Sequence, residues 1–168
     1  MDGHYKKRIP VWLMLITNIF ICISCSTTRS VTPQVALKTV ALKKLPVNGT
    51  KVIVNDYRIG AHTDNICASI QTQLMQALSR DANIEKNNYV LTVDVIFYQS
   101  FYTFINWHGE IKLKVVLTTG SNEVIGRWDI DEKTAQANMW GYLTAKQVAQ
   151  EAYEKAISHL IAAINAVP

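Results

Sequence analysis

Three segments in the second half of the chain alternate apolar and polar residues with a period of two. The positions predicted to share an apolar face are Tyr89, Leu91, Val93, Val95 and Phe97, then Ile111, Leu113, Val115 and Leu117, then Val124, Gly126, Trp128 and Ile130. The alternate positions of the second and third segments carry many charges. One apolar and one polar face are typical of an antiparallel sheet that is covered on one side only.

Two earlier segments predict further strands. Residues 35–45 are β-prone and end at Pro46 and an Asn48-Gly49 turn, and residues 51–56 form a short apolar run.

Two other segments have helical spacing. The first is capped by Thr63 or Asp64 and places Ile66, Cys67, Ile70, Leu74, Ala77 and Leu78 on one face, with Gln71, Gln73 and Gln76 opposite. The second begins with a capping box of Thr144 and Gln147 and continues as an apolar stripe to the C-terminus. The predicted fold is α+β, a two-layer sandwich with a mainly antiparallel sheet and two helices on one face, in the order β-β-α-β-β-β-α.

The N-terminus has the pattern of an export signal. Three basic residues at 6–8 precede an apolar run of 15 residues, 9–23, followed by Ser24 and Cys25. This order predicts a lipoprotein signal peptide over 1–24 and a covalent lipid on Cys25. The alternative is an uncleaved signal anchor in the inner membrane, although a bilayer span needs about 20 residues.

The remainder divides into a lipidated cysteine with a flexible tether, 25–34, and a single domain, 35–168. Two or three acyl chains would hold such a domain durably on a membrane. Ser26 stands where an aspartate would favour inner-membrane retention, so we expect the inner leaflet of a bacterial outer membrane, facing the periplasm.

Charge and cysteine content narrow the possible partners. Loss of residues 1–24 removes three basic residues and one acidic residue, which lowers the formal charge from +4 to +2. A domain of that charge gives no reason to expect nucleic acid binding. Of the three cysteines, Cys22 lies in the signal and Cys25 carries the lipid, so Cys67 has no disulfide partner within the mature chain.

The chain lacks the common motifs of catalysis, so we predict no catalytic residue, no metal site and no cofactor besides the lipid on Cys25. Two alternatives are open. Asp129, Asp131 and Glu132 suggest a cation site but fit a solvated strand face better. An enzyme would require His108 to meet Asp129 or Glu110 in a cleft.

An aromatic-rich stretch at residues 97–107 is the most distinctive part of the domain. Within it, Phe101, Tyr102, Phe104 and Trp107 are predicted to form a docking surface for a protein partner. Two alternatives stay open: an aromatic tip resting at the membrane interface, where Trp and Tyr are favoured, or a hairpin whose rings pack across strands.

The chain resembles small bacterial outer-membrane lipoproteins of the YajG type and the LptE-like type. The likeness lies in Cys25, the strand that ends in Asn55-Asp56-Tyr57-Arg58, and the helix over 66–78. It continues in the strands over 89–97 and 109–119 and in the C-terminal helix. The residues after Cys25, Ser-Thr-Thr-Arg, depart from the LptE-like pattern of Gly, an aromatic residue and Leu.

This resemblance implies a non-enzymatic accessory protein that supports an envelope assembly or transport complex by binding a larger envelope protein. The alternative function is a periplasmic-side binding module for a lipid or glycan fragment.

Overall fold

The computed structural model describes residues 28–29, 31–36, 40–79, 88–103, 105–137 and 144–167. The strands in these ranges are β1 (Thr28–Arg29), β2 (Leu42–Pro46), β3 (Thr50–Asp56), β4 (Leu78–Ser79), β5 (Tyr89–Thr103), β6 (Asn106–Thr119) and β7 (Val124–Ala137). The helices are α1 (Ile66–Ala77) and α2 (Ala145–Asn165). None of the helices described here is both long enough and apolar enough to cross a membrane.

The main sheet is built on the long strands β5, β6 and β7, which pair antiparallel in chain order. The other edge of β5 is shared by two strands. Its first half pairs with β3, which runs parallel to it, and its second half pairs with β1, which runs antiparallel. The predicted α+β class with a mainly antiparallel sheet is therefore confirmed.

Both helices pack against the apolar face of this sheet and form one core with it. The strand residues at its centre include Leu91, Val93, Ile111, Leu113 and Val115, all buried. The helices contribute Ile66, Ile70, Leu74, Val148, Ala152, Ala156, Leu160 and Ile164. Burial of each large aliphatic side chain stabilises the fold by about 1.5–3 kcal/mol relative to leaving it exposed.

Phe97 lies on the opposite face of the sheet from the one predicted, because β5 contains a β-bulge. Val95 pairs with Leu113 while Phe97 pairs with Lys112, so Ile96 is an extra residue in β5. A bulge reverses the alternation beyond it. Tyr98 and Ser100 therefore point into the core, and Phe97 lies on the charged face. A similar irregularity near the start of β7 turns Val124 outward and lets Ile125 pack against the core.

The predicted strand over 35–45 is shorter than expected and lies elsewhere. Among the described residues of this stretch, the strand is Leu42–Pro46, and it pairs parallel with β4 in a separate two-stranded sheet. Asn165, the last residue of α2, holds this part of the chain through the Lys43 amide and the Ala41 carbonyl. Leu42 and Leu45 are buried in the core, although β2 does not extend the main sheet.

The outer face of the sheet carries charges of opposite sign on directly paired residues. Across β6 and β7, Lys114 faces Asp129, Lys112 faces Asp131, and Glu110 faces Lys133. The Lys112 ammonium lies 3.2 Å from Asp131, and that of Lys133 lies 3.1 Å from Glu110. Because Asp129 and Asp131 each face a lysine on an exposed surface, these carboxylates do not assemble into the alternative cation site.

Candidate functional site

The hairpin between β5 and β6 ends in a group of rings. Its described end, residues 101–103 and 105–108, is called here the hairpin tip. Tyr102 pairs with Trp107, with ring centroids 5.2 Å apart, and Phe101 stacks on His108 at 5.1 Å. These rings are half-buried, and the turn residue Ile105 is 43% exposed.

The predicted docking residues do not form one patch. Phe101 and Tyr102 are consecutive in a strand, so their side chains point to opposite faces of the sheet. Tyr102 and Trp107 lie on the face that the helices cover further along, and Phe101 lies with His108 on the outer face. Phe104, the fourth predicted residue, is outside the described residues. The tip therefore presents aromatic rings on both sides.

The first described strand approaches this tip. Thr28 pairs with Phe101 and Arg29 with Ser100, in antiparallel orientation. The strand β1 therefore begins at the end of β5 that carries the tip. Cys25 is outside the described residues, but it is only three residues before Thr28. Consecutive Cα atoms are 3.8 Å apart, so its Cα lies within about 11 Å of that of Thr28.

The residues that follow β1 are held against the helices. Ser69 donates to the Pro33 carbonyl over 3.0 Å, and the Ala36 amide donates to the Gln73 side chain over 2.7 Å. Gln150 of α2 both accepts from and donates to the backbone of Gln34. The polar composition of this segment predicted a flexible tether, whereas its described part is fixed by hydrogen bonds.

These contacts also correct the predicted polar face of α1. Gln73, which was predicted on the polar face, is buried together with Ser69, because the N-terminal segment covers them. Asn65, Ser69 and Gln73 are spaced four residues apart and so share one stripe of the helix. That spacing was the only signal in the sequence for a covering segment.

A second feature that the sequence did not indicate is the loop between β3 and α1, residues 57–65. Tyr57 and Ile59 are 62% and 99% exposed. Arg58 lies between them and points inward, where it contacts Asp56 at 2.6 Å and Asp64 at 2.9 Å. The hydrogen bond from Arg58 holds the pKa of Asp56 below its ordinary value. The loop thus presents two apolar side chains from a fixed backbone.

The structure does not assemble the alternative catalytic group. His108 shares a 2.6 Å hydrogen bond with Thr103, and Glu110 is paired with lysines. Asp129 pairs with Lys114, which is six residues from His108 and therefore about 20 Å along the strand. Within the described parts of the chain, no three His, Cys, Asp or Glu side chains are placed to hold a metal ion.

A groove between the N-terminal segment and α2 has a volume of about 230 Å³. Its lining includes Gln73, Tyr153, Glu154 and Ile157, and the hydroxyl of Tyr153 has no partner among the described residues. Ligand pockets are usually about 300–1,000 Å³. The groove is therefore small for the lipid or glycan fragment of the alternative function.

No family model and no curated protein matches this chain. Among solved structures, it is similar to a protein of the DUF330 family from Xanthomonas campestris, with 13% identity, a TM-score of 0.49, and coverage of 82% of this chain and 93% of the other. A hypothetical protein from Chlamydia trachomatis shows 10% identity and a TM-score of 0.46, over 70% and 97% of the two chains. A minor lipoprotein from Acinetobacter baumannii shows 14% identity and a TM-score of 0.36, over 71% and 90%. Likenesses at this level carry no conclusion about function.

Proposed function

We propose that this chain is a lipid-anchored, non-enzymatic accessory protein of the bacterial cell envelope, attached through Cys25 and acting by contact with a larger envelope protein. The observation that carries the proposal is the pairing of β1 with the end of β5. With a lipid on Cys25, this pairing would fix the domain directly at the membrane, without a long linker.

The anchor is tested by flotation of cell membranes on a density gradient. We expect the wild-type protein to float with the membranes and Cys25→Ser to lose this association, because the thioether-linked lipid can no longer form. Separation of the two membranes in the same gradient tests the proposed outer-membrane location. Equal flotation of both proteins would contradict the lipid anchor and favour the uncleaved signal anchor.

The partner contact is assigned to the loop after β3. Interfaces draw most of their affinity from a few large side chains that are already ordered before binding. Tyr57 and Ile59 meet this requirement, since the ion pairs of Arg58 hold the loop between them. The competing assignment is the predicted docking role of Phe101, Tyr102, Phe104 and Trp107 at the hairpin tip.

Site-specific photo-crosslinking in intact cells separates these assignments. A photoreactive residue at Ile59 is expected to give a discrete crosslinked band, while one at Val124, which is also exposed, serves as the control. A third probe at Ile105 reports on the hairpin tip. A protein adduct from 105 without one from 59 would contradict the loop assignment and favour the tip. Absence of an adduct from both positions would contradict the partner-contact mechanism.

A further inference from the structure

We propose that the hairpin tip itself rests in the headgroup region of the membrane that holds the lipid on Cys25, so that the lipid surface is the partner of these aromatic rings. This inference rests on the lipid anchor of the proposed function and adds the orientation of the domain. The strands of the hairpin would then stand away from the membrane.

The short stretch of chain between Cys25 and Thr28 limits how far the tip can be from the bilayer. Thr28 pairs with Phe101, and because β1 is antiparallel to β5 it begins at the tip end of that strand. The backbone of Cys25 lies within about 11 Å of Thr28. A cysteine whose acyl chains enter the bilayer therefore keeps Phe101 close to the membrane surface.

The side chains at the tip have the chemistry of that surface. Trp and Tyr are favoured at membrane interfaces, where an apolar ring and a polar group are both satisfied. The tip carries Tyr102 and Trp107 on one face and Phe101 on the other, with Ile105 exposed at the turn. Rings on both faces suit a medium that surrounds the tip, whereas a protein partner would contact mainly one face.

The charged residues of the sheet limit how deeply the tip can enter. On the outer face of β6, the ladder of charges begins at Glu110, two residues beyond His108. Glu110 lies opposite Lys133, and Lys112 follows opposite Asp131. At about 3.4 Å per residue, the rings of Phe101 and His108 lie about 7 Å beyond the first charged pair. This distance matches the 5–10 Å depth typical of interfacial segments.

Spin labelling tests the inference on the acylated protein. Ile105→Cys and Val124→Cys form a matched pair, since these side chains are 43% and 44% exposed and lie at opposite ends of β6. Both are made with Cys67→Ser, because Cys67 is a free thiol that is only half-buried. The purified lipoproteins are labelled with a nitroxide and reconstituted in vesicles of phosphatidylethanolamine and phosphatidylglycerol, without any other protein.

The readout compares nitroxide collisions with oxygen, which concentrates in the bilayer, and with a water-soluble nickel chelate. We expect the oxygen-to-nickel ratio at 105 to rise several-fold on reconstitution and to exceed that at 124, where it should stay constant. Equal ratios at 105 and 124, in vesicle-bound protein that carries acyl mass, would overturn the inference and leave the lipid anchor intact. Protein without acyl mass would instead overturn the proposed function on which the inference rests.

Discussion

Gly109 sets the distance between the sheet and the start of α2. A Cβ atom at this position would collide with the backbone oxygen of Val148 and would lie 2.8 Å from the hydroxyl of Thr134. That hydroxyl donates to the same Val148 oxygen over 2.8 Å. The close approach of helix and strand at this point therefore requires a residue without a side chain.

We expect Gly109→Ala to destabilise the domain, because either α2 or β6 must shift to admit the methyl group. Overpacking of this kind costs about 1–3 kcal/mol in the free energy of unfolding. Urea denaturation measures it. Gly126→Ala is the control, since there the obstacle is the half-buried side chain of Trp128 instead of backbone. An equal or smaller loss for Gly109→Ala would contradict this account.

The Arg58 ion pairs make stability depend on pH. The pKa of Asp56 is lowered in the folded state from an ordinary value of 3.8, chiefly by its hydrogen bond from Arg58. A lowered pKa means that the unfolded chain binds the proton more readily. The contribution of Asp56 is therefore present above about pH 4 and is lost as the pH falls through the folded-state value.

Asp56→Asn should accordingly be less stable than wild type at pH 7, with a smaller further loss on acidification. Unfolding free energies measured between pH 7 and the acid limit of folding would show two curves that converge as the pH falls. Parallel curves would mean that the Asp56 carboxylate does not contribute through ionisation.

At the scale of elements, the two helices begin differently. The capping box at α2 is confirmed, with the Thr144 hydroxyl accepting from the Gln147 amide and the Gln147 side chain accepting from the Thr144 amide. The first residue of α1 follows Asn65, whose side chain makes no capping hydrogen bond. Asp64, a predicted cap, accepts from the amide of Ile66 over 3.3 Å through one carboxylate oxygen and pairs with Arg58 through the other.

Thr144→Ala is expected to lower the free energy of unfolding by about 0.5–2 kcal/mol, because it leaves an amide at the start of α2 without its partner. Asn65→Ala is the matched change at α1 and should cost clearly less. Thermal or urea denaturation of both variants gives the comparison. A larger loss at Asn65 would contradict the assignment of the caps.

The register of β6 against β7 is supported by the paired charges on the outer face. Lys114→Asp places a carboxylate opposite Asp129 on one side and opposite Asp94 of β5 on the other, and should destabilise the sheet by about 0.2–1 kcal/mol for each pair. Reversal of both charges, with Asp129→Lys added, should recover the part of the loss that comes from the pair with Asp129. A double-mutant cycle in urea measures the coupling, and the absence of recovery would contradict a direct interaction between these positions.

The elements that could be predicted are those with a long, regular pattern. Three alternating segments gave β5, β6 and β7, and the capping box with its stripe gave α2. The bulge at Ile96 could not be predicted, because one extra residue leaves the apolar composition unchanged and only the pairing reveals it. The predicted face of Phe97 was wrong for that reason.

The candidate site was predicted only in part, because its parts meet through long-range contacts. The sequence indicated aromatic residues near 101–107, but a strand of two residues, Thr28–Arg29, is too short to show any period. Its pairing with Phe101 joins the predicted lipid site to the hairpin tip. Likewise, the exposure of Ile59 depends on a contact between Arg58 and Asp64 that no local pattern specifies.

At the scale of the whole molecule, the long strands separate an end that carries aromatic rings from an end that does not share this cluster. The 14 residues of β6 span about 45 Å, with the aromatic tip at one end and the turn before Val124 at the other. The strand β1, whose first residue is three positions after Cys25, lies at the aromatic end. Under the proposals made above, the aromatic end of the domain faces the membrane and its strands extend away from the bilayer. The loop with Tyr57 and Ile59 is then available to a protein partner.

The intact mass of the protein extracted from bacterial membranes tests the lipid anchor most directly. We predict a species that begins at Cys25 and carries the mass of a diacylglyceryl group, with or without a further acyl chain, and no acylated species from Cys25→Ser. A full-length, unacylated chain from the same membranes would contradict the account, because the hairpin tip would then have no covalent tie to the bilayer surface.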